Sequence, residues 1–367
     1  MKNDGFLDQR LEERRADQLI RTLSLTTGMI DFCSNDYLGI TTRKLLSPFV
    51  TGGESHGSGG SRVLSGNYSL IEEAEGIIAR FHDAEASLIF NSGYTANVGL
   101  MSSIAQRGDS IFYDQLAHAS IRDGVRLSLA QAHSFAHNDM NDLERKLRHA
   151  KGNVFVVSES VFSMDGDQCP LGVMTELCER YGAHLIIDEA HAIGIIGEHG
   201  EGLVQHLGLA QKTFARVYTF GKAPGCHGAA IVGSQKLREY LINFARSFIY
   251  TTAPPEIAVK ALMGAYRILP DLKQERNALK VLIGKFKNCT LPFEKLVSDT
   301  PIQGIIVPGN EAVIKLARSI QALNIDVRPI RYPSVARGKE RLRINLHAFN
   351  SVQELDSLLS GLTRVKP

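Results

Sequence analysis

Between residues 69 and 233, short apolar runs alternate with longer segments in which apolar residues recur every third or fourth position. Such runs predict buried strands, and the recurring pattern predicts helices. The predicted strands are 87–90, 110–113, 154–159, 184–188, 216–220 and 229–233. The predicted helices are 69–82, 94–106, 117–129, 139–149 and 171–182. Strands that alternate with helices indicate an α/β fold whose mainly parallel sheet is covered on both faces.

The pattern changes toward both ends of the chain. Residues 7–23 mix leucines and isoleucine with charged residues, which predicts an amphipathic N-terminal helix. Ala253-Pro254-Pro255 interrupts the alternation, and it is followed by helices near 257–288 and 311–323 and by strands near 303–307 and 341–346. We therefore predict an N-terminal helical arm over 1–40, a large domain over 41–256 and a smaller C-terminal α/β domain over 257–367.

Polar residues at the ends of two predicted strands suggest a cofactor. Asp188 ends the run Leu185-Ile-Ile, His191 follows three residues later, and Lys222 lies just beyond strand 216–220. Ligands bind at the carboxyl ends of parallel strands. A partly desolvated lysine amine attacks aldehydes, and a buried carboxylate needs a cation such as a protonated ring nitrogen. An amine, an acid and an imidazole in this arrangement predict a site for pyridoxal 5'-phosphate (PLP).

Three further stretches contain candidate binding residues. Phe90-Asn-Ser-Gly93-Tyr94 joins a strand to a helix, and the free N–H groups of such a turn suit a phosphate. His118 begins a predicted helix, where its ring could either stack on a planar cofactor or cap the helix. Arg331 and Arg343 could bind the carboxylate of an amino-acid substrate, or they could be surface arginines on a strand edge.

Two nucleotide-binding alternatives lack a motif that they require. Asp188-Glu-Ala-His191 is also the signature of certain nucleic-acid ATPases, but their P-loop needs serine or threonine after Gly-Lys. The Gly-Lys pairs of this chain precede Ala223, Phe286 and Glu340, which excludes that class. The glycine-rich segment 54–62 does not follow a strand and lacks G-x-G-x-x-G, which disfavours an NAD-dependent dehydrogenase.

Composition and charge narrow the class of protein further. The 367 residues are 44% hydrophobic and 22% charged with a net charge of +2, so we expect neither nucleic acid nor a membrane surface as a partner. The five cysteines form no C-x-x-C pair, so we expect no disulfide framework, no metal site and a reducing cytoplasm. No apolar stretch approaches the roughly 20 residues of a membrane span, so we expect a soluble intracellular protein.

In their order along the chain, these motifs resemble the α-oxoamine synthases, which are PLP-dependent enzymes of aminotransferase-like fold (fold type I). The resemblance runs from Asp31-Phe-Cys-Ser-Asn-Asp-Tyr-Leu-Gly39 to Leu342-Arg-Ile-Asn345. Its most specific stretches are Val161-Phe-Ser-Met-Asp-Gly-Asp167 and Thr219-Phe-Gly-Lys222. The resemblance implies PLP as the cofactor and a homodimer with its active sites at the interface.

The resemblance also implies a role for each matching position. Lys222 would bond covalently to PLP, His118 would stack on its ring and Asp188 would pair with the ring nitrogen. These three residues and His191 would be the catalytic set. The other residues implied to bind the cofactor are His191 and Ser163 near the ring hydroxyl and, at the phosphate, Gly93, Tyr94, Thr219 and Thr252 from the second chain. The residues implied to bind substrate are Arg21, Asn35, Arg331, Ser334 and Arg343.

Within the family, His56-Gly-Ser-Gly-Gly-Ser-Arg and Phe244-Ala-Arg-Ser-Phe-Ile-Tyr250 resemble the members that serve biotin synthesis. The resemblance implies a decarboxylative condensation of L-alanine with pimeloyl-CoA or a pimeloyl-carrier protein. Glycine C-acetyltransferase, serine palmitoyltransferase and 5-aminolevulinate synthase remain alternatives, because residue spacing does not size the amino-acid pocket or the acyl tunnel. A catalytically silent partner subunit is disfavoured by the presence of Lys222.

Overall fold

The structure is a computed structural model that describes residues 4–364 apart from residues 24 and 26. Its strands are β1 Ile30–Asp31, β2 Ala86–Phe90, β3 Ser110–Asp114, β4 Gln131–Phe135, β5 Val154–Glu159, β6 His184–Asp188, β7 Ala215–Thr219, β8 Ala229–Gly233, β9 Ile302–Ile306, β10 Ile325–Asp326, β11 Arg328–Ile330 and β12 Arg341–Asn345. Its helices are α1 Gly5–Ala16, α2 Ser69–Phe81, α3 Gly93–Ile104, α4 Ala119–Leu127, α5 Met140–Leu147, α6 Leu171–Tyr181, α7 Leu203–His206, α8 Gln235–Phe244, α9 Arg246–Ile249, α10 Glu256–Ile268, α11 Lys273–Asn288, α12 Asn310–Gln321 and α13 Val352–Arg364.

Contacts between residues divide the chain into two compact units. The larger unit comprises Asn35–Ser163 and Asp167–Asn277, and the smaller comprises Met1–Ser34, Met164–Gly166 and Ala278–Pro367. The three-part division over 1–40, 41–256 and 257–367 stays a prediction. Every helix within the described residues is too short or too polar to cross a membrane.

The larger unit is built on a seven-stranded sheet in the order β2-β8-β7-β6-β5-β3-β4. Neighbouring strands from β4 to β7 pair in parallel, and β8 runs antiparallel to both β7 and β2. The predicted α/β class with a mainly parallel sheet is therefore confirmed. All six residues of β5 are buried, as expected for a strand in the middle of a sheet that is covered on both faces.

Alternate residues of the sheet enter two separate apolar layers. Ala229 and Ile231 of β8 join the layer that contains residues of α3, α4 and α8. Ala230 and Val232 join the layer that contains residues of α2 and α10. Because successive side chains of a strand point to opposite faces, both layers bury this strand and hold its ends in fixed positions.

The smaller unit contains two small sheets. Strands β11, β12 and β9 form an antiparallel sheet in that order, while β1 and β10 form a short parallel pair. Helix α12 buries Val313, Leu316, Ala317 and Ile320, which recur at helical spacing. This unit contains both helices and strands, as the predicted C-terminal α/β domain requires.

Two helix predictions were wrong in their extent. The helix predicted over 7–23 ends at Ala16, and α1 has no buried residue. Gln18 has a φ of 58°, a left-handed conformation that does not continue a helix. The helix predicted over 257–288 is two helices, because Pro270 lies in the short turn between α10 and α11 and cannot donate a helical hydrogen bond.

Candidate active site

Polar side chains lie at or just after the ends of three neighbouring strands of the larger unit, and Asp188, Thr219 and Lys222 among them are predicted site residues. Asp188 ends β6 and pairs in register with Glu159, which ends β5. Thr219 ends β7, and Lys222 follows it by three residues. The strands β5, β6 and β7 are adjacent and parallel, so their carboxyl ends lie at one edge of the sheet.

The amine of Lys222 contacts the imidazole of His191. The Nζ atom of Lys222 lies 2.8 Å from Nε2 of His191, whose Nδ1 lies 2.9 Å from the Tyr37 hydroxyl. That hydroxyl donates to Oδ1 of Asn35 at 3.0 Å. Since the phenol proton is used in this way, Nδ1–H of His191 donates to the hydroxyl, and Nε2 is left as the acceptor for the lysine.

Asp188 is buried, with 5% of its surface exposed, and both of its carboxylate oxygens accept hydrogen bonds. The side-chain amide of Asn97 donates to Oδ2 at 2.7 Å, and the backbone N–H of Ala190 donates to Oδ1 at 2.9 Å. These donors hold the carboxylate in one orientation. Sequence reasoning did not identify Asn97, because helical periodicity only marks it as an inward-facing position.

A second acid, Glu159, lies close to this carboxylate. Burial, reinforced by the negative charge of Asp188, raises the pKa of Glu159 to about 8. Its Oε1 atom accepts the backbone N–H of His118 at 2.6 Å. Glu159 therefore holds the backbone of His118 in place. With this raised pKa, the carboxyl group of Glu159 is mostly protonated at neutral pH.

The predicted phosphate turn lies against the end of β7. Ser92 caps α3 through a reciprocal capping box with Thr95, and Gly93 is the first residue of the helix. A Cβ atom at Gly93 would overlap Oγ1 of Thr219, so only glycine allows this close approach. The first N–H groups of a helix lack intrahelical acceptors and can bind an anion.

Three other predicted cofactor residues, Tyr94, Thr252 and Ser163, also belong to the larger unit. Tyr94 is half-exposed, and its hydroxyl donates to Asp123 at 2.7 Å. The backbone oxygen of Thr252 accepts from the side chain of Asn91, at the end of β2, at 2.9 Å. Ser163 follows β5, next to a short bridge between Val161 and Gln168.

The smaller unit brings together three of the predicted substrate residues. Arg21 donates to the hydroxyl of Ser334 at 3.4 Å, and Arg331 donates to the backbone oxygens of Gln18 and Ile20. Arg21, Arg331 and Ser334 line one cavity of about 640 Å³. Arg343 pairs with Gly304 in the sheet and is not among the residues described as lining that cavity. Asn35 belongs to the larger unit, where it accepts from Tyr37.

The residues of the larger unit fit PLP. Lys222 offers an amine for the aldehyde, and the buried Asp188 offers the anion that a protonated ring nitrogen requires. The helix start at Gly93, which lies against Thr219, offers free N–H groups for the phosphate.

The comparisons with known proteins agree with this chemistry. Residues 27–362 match the model of the family described as aminotransferase class I and II. An 8-amino-7-oxononanoate synthase of Emericella nidulans is 39% identical over 95% of this chain and 92% of its own length. The crystal structure of 8-amino-7-oxononanoate synthase from Francisella tularensis is 30% identical, covers 92% of this chain and 97% of its own, and has a TM-score of 0.80. A serine palmitoyltransferase variant with PLP is 26% identical, covers 99% of this chain and 97% of its own, and has a TM-score of 0.87.

Proposed function

The chain belongs to the class I and II aminotransferase family as a PLP-dependent acyltransferase of the α-oxoamine synthase group, and we propose that it makes 8-amino-7-oxononanoate. The proposed reaction joins L-alanine to pimeloyl-CoA, or to a pimeloyl-carrier protein, and releases the thiol carrier and carbon dioxide. The names of relatives at 37–39% identity support 8-amino-7-oxononanoate as the product, and the two substrates are those that the family resemblance implies. The observation that carries the chemistry is the contact of Lys222 with His191 at the edge of the sheet that also presents Asp188.

Each catalytic side chain has a proposed task. When bound, PLP supplies an electron sink for a carbanion at Cα of the amino acid. Lys222 would hold the cofactor through Nζ, and the same atom would take the α-proton of the substrate. His191 orients the amine of Lys222 through Nε2. Asp188, held by Asn97, keeps a negative charge opposite the ring nitrogen. His118 donates a hydrogen bond to the thioester oxygen as negative charge develops there.

The remaining predicted residues bind the cofactor phosphate and the substrates. We assign the phosphate to the turn at Gly93 and Tyr94, to Thr219 and, in a homodimer, to Thr252 of the second chain; we assign the ring hydroxyl to Ser163. The substrate residues are Arg21, Asn35, Arg331, Ser334 and Arg343. Arg331 binds the amino-acid carboxylate in this proposal, because a guanidinium forms two parallel hydrogen bonds with a carboxylate.

We also propose a homodimer in a reducing, cytoplasmic compartment. Leu127 and Leu129 are 65% and 64% exposed, and exposed apolar side chains in one stretch support a protein contact surface. All five cysteines are unpaired thiols, which supports a reducing environment.

Substrate competition tests the proposed reaction. The purified PLP-loaded protein is incubated with alanine, glycine or serine and with pimeloyl-, acetyl-, succinyl- or palmitoyl-CoA, and each product is measured by mass spectrometry. We expect the highest kcat/KM for alanine with pimeloyl-CoA. A clear preference for glycine or serine would assign the chain to another α-oxoamine synthase.

Serine palmitoyltransferase is the second candidate. The serine palmitoyltransferase variant has the higher TM-score of the two solved structures compared above, 0.87 against 0.80. The synthase from Francisella tularensis has the higher sequence identity, 30% against 26%. Since side chains rather than backbone path select a substrate, the sequence identity favours 8-amino-7-oxononanoate synthesis.

A further inference from the structure

Asp188 and His118 are connected by two buried side chains that have no role in the function proposed above. Asn97 donates to Oδ2 of Asp188 at 2.7 Å and to Oγ of Ser120 at 3.0 Å. The Ser120 hydroxyl lies 2.7 Å from Nδ1 of His118. Asn97 is 2% exposed and Ser120 is 0% exposed, so water does not compete for these bonds.

The direction of each hydrogen bond in this chain follows from the groups at its ends. An ionised carboxylate only accepts, so the amide of Asn97 must present its NH2 group to Asp188. The opposite orientation would place Oδ1 of Asn97 against a carboxylate oxygen. The observed orientation leaves Oδ1 of Asn97 buried without a hydrogen-bond partner among the described residues. An unsatisfied buried oxygen is unfavourable, so the bond to Asp188 determines how Asn97 is placed.

At the other end, two donors converge on one nitrogen of His118. The backbone N–H of Ser120 donates to Nδ1 of His118 at 3.2 Å, which requires Nδ1 to carry no proton. The Ser120 hydroxyl accepts from Asn97 and is then free to donate to the same Nδ1. A neutral imidazole with an accepting Nδ1 carries its proton on Nε2.

We propose that Asn97 and Ser120 are positioning residues, which join Asp188 and His118 into one hydrogen-bonded unit and hold His118 as the neutral tautomer protonated on Nε2. This unit gives His118 a donor, Nε2–H, directed away from α4. The same hydrogen bonds orient the carboxylate of Asp188. The proposal rests on the roles assigned above to Asp188 and His118, but it is independent of which amino acid and thioester react.

Nitrogen NMR of the full-length, PLP-loaded protein labelled with ¹⁵N-histidine tests the tautomer directly. A His118→Gln variant identifies the two signals of the His118 ring. At pH 7.5 we expect a protonated Nε2 and an unprotonated, hydrogen-bonded Nδ1. A proton on Nδ1 in the unmodified protein overturns the proposal, and this measurement needs neither a substrate nor a second variant.

Variants then test whether Ser120 and Asn97 are responsible. Ser120→Ala removes a donor that stabilises neutral His118, so the acid dissociation constant of His118 should fall about five-fold, which is the effect of one hydrogen bond. The charged groups that act on this ring are Asp188, Lys222, Arg122 and Asp123, and none of them changes in these variants. Because the ring also loses one of the hydrogen bonds that fix its tautomer and orientation, we expect kcat to fall while KM changes less than two-fold.

Ser103→Ala is the matched control, since it removes a buried serine hydroxyl of α3 that donates to the backbone oxygen of Leu100. Ser120→Thr keeps the hydroxyl and should restore both the His118 signals and kcat. Asn97→Ala should shift the His118 Nδ1 signal although it does not touch the ring. If Ser120→Ala and Asn97→Ala both leave the His118 signals and titration as in Ser103→Ala, the proposal is wrong. If the signals respond as expected but pimeloyl-CoA is not used, only the proposed substrate is wrong.

Discussion

Nζ of Lys222 lies 2.8 Å from Nε2 of His191, although the two residues are 31 positions apart in the chain. The contact exists because Lys222 follows β7 and His191 follows β6, and these strands are parallel neighbours. A neutral lysine amine can donate one N–H to an imidazole whose Nε2 accepts, and it keeps its lone pair. The lysine is thus oriented at the edge of the sheet while its amine stays available for an aldehyde.

Replacing Lys222 tests its covalent role. Lys222→Ala should reduce kcat by about a thousandfold, because positioned proton transfer alone contributes roughly 10²–10⁴ to rate. Borohydride reduction of the PLP-loaded protein followed by peptide mass spectrometry should label position 222 in the parent and leave the variant unlabelled. Lys280→Ala changes an exposed lysine of α11 and should keep both the label and the activity. Full turnover by Lys222→Ala would show that another residue holds the cofactor.

A side chain at Gly93 should weaken cofactor binding. In Gly93→Ala the new Cβ would overlap Oγ1 of Thr219, so the start of α3 or the end of β7 must shift. We expect the dissociation constant of PLP to rise at least about tenfold, measured by fluorescence titration, which corresponds to roughly 1.4 kcal/mol. Gly172→Ala is the control, because a Cβ there meets no atom within 4 Å. Adding Thr219→Ala to Gly93→Ala should recover part of the affinity, and unchanged PLP binding by Gly93→Ala would contradict the assignment of this turn.

Glu159 should make stability depend on pH. Burial and the charge of Asp188 raise its pKa from 4.5 to about 8, so between these values the folded protein binds a proton that the unfolded chain releases. The free energy of unfolding should therefore decrease as pH rises from about 4.5 to 8, by at most about 1.4 kcal/mol per pH unit for this one group. Glu159→Gln, which imitates the protonated acid, should remove this part of the slope.

Urea unfolding of the parent and of Glu159→Gln from pH 5 to 9 measures that difference. The variant should gain stability relative to the parent as pH rises, and the gain should level off above pH 8. Glu176→Gln replaces an exposed acid of α6 and should follow the parent. Parallel curves for the parent and Glu159→Gln would mean that the carboxyl is ionised throughout this range.

Arg331 should determine the affinity for the amino acid. Arg331→Lys keeps the charge but loses the paired donors of the guanidinium, so KM for the amino acid should rise about tenfold with a smaller change in kcat. Steady-state kinetics at saturating thioester separate the two constants. Arg364→Lys, at the end of α13, is the control. An increase in KM for the thioester alone would assign Arg331 to the acyl substrate instead.

The large-unit elements were predictable because they are locally encoded. The apolar runs of β5, β6 and β8 have the bounds predicted from sequence, since all six residues of β5 and four of the five residues in each of β6 and β8 are buried. Strand β4 was missed because four of its five residues are exposed, so it has no apolar run to detect. The first helix was predicted too long because leucines among charges satisfy a helical pattern even where, as in α1, no residue becomes buried.

The amino-acid sequence alone determined the α/β class and the position of Lys222 and Asp188 just after buried strands, because strand periodicity and residue chemistry are local properties. Only the tertiary structure decided that His191 contacts the amine of Lys222. It also decided that Asn97, 91 positions before Asp188 in the chain, orients the carboxylate of Asp188. Contacts between residues so far apart depend on strand order, register and the packing of α3 on the sheet. None of these three properties can be predicted from the residue pattern of a single segment.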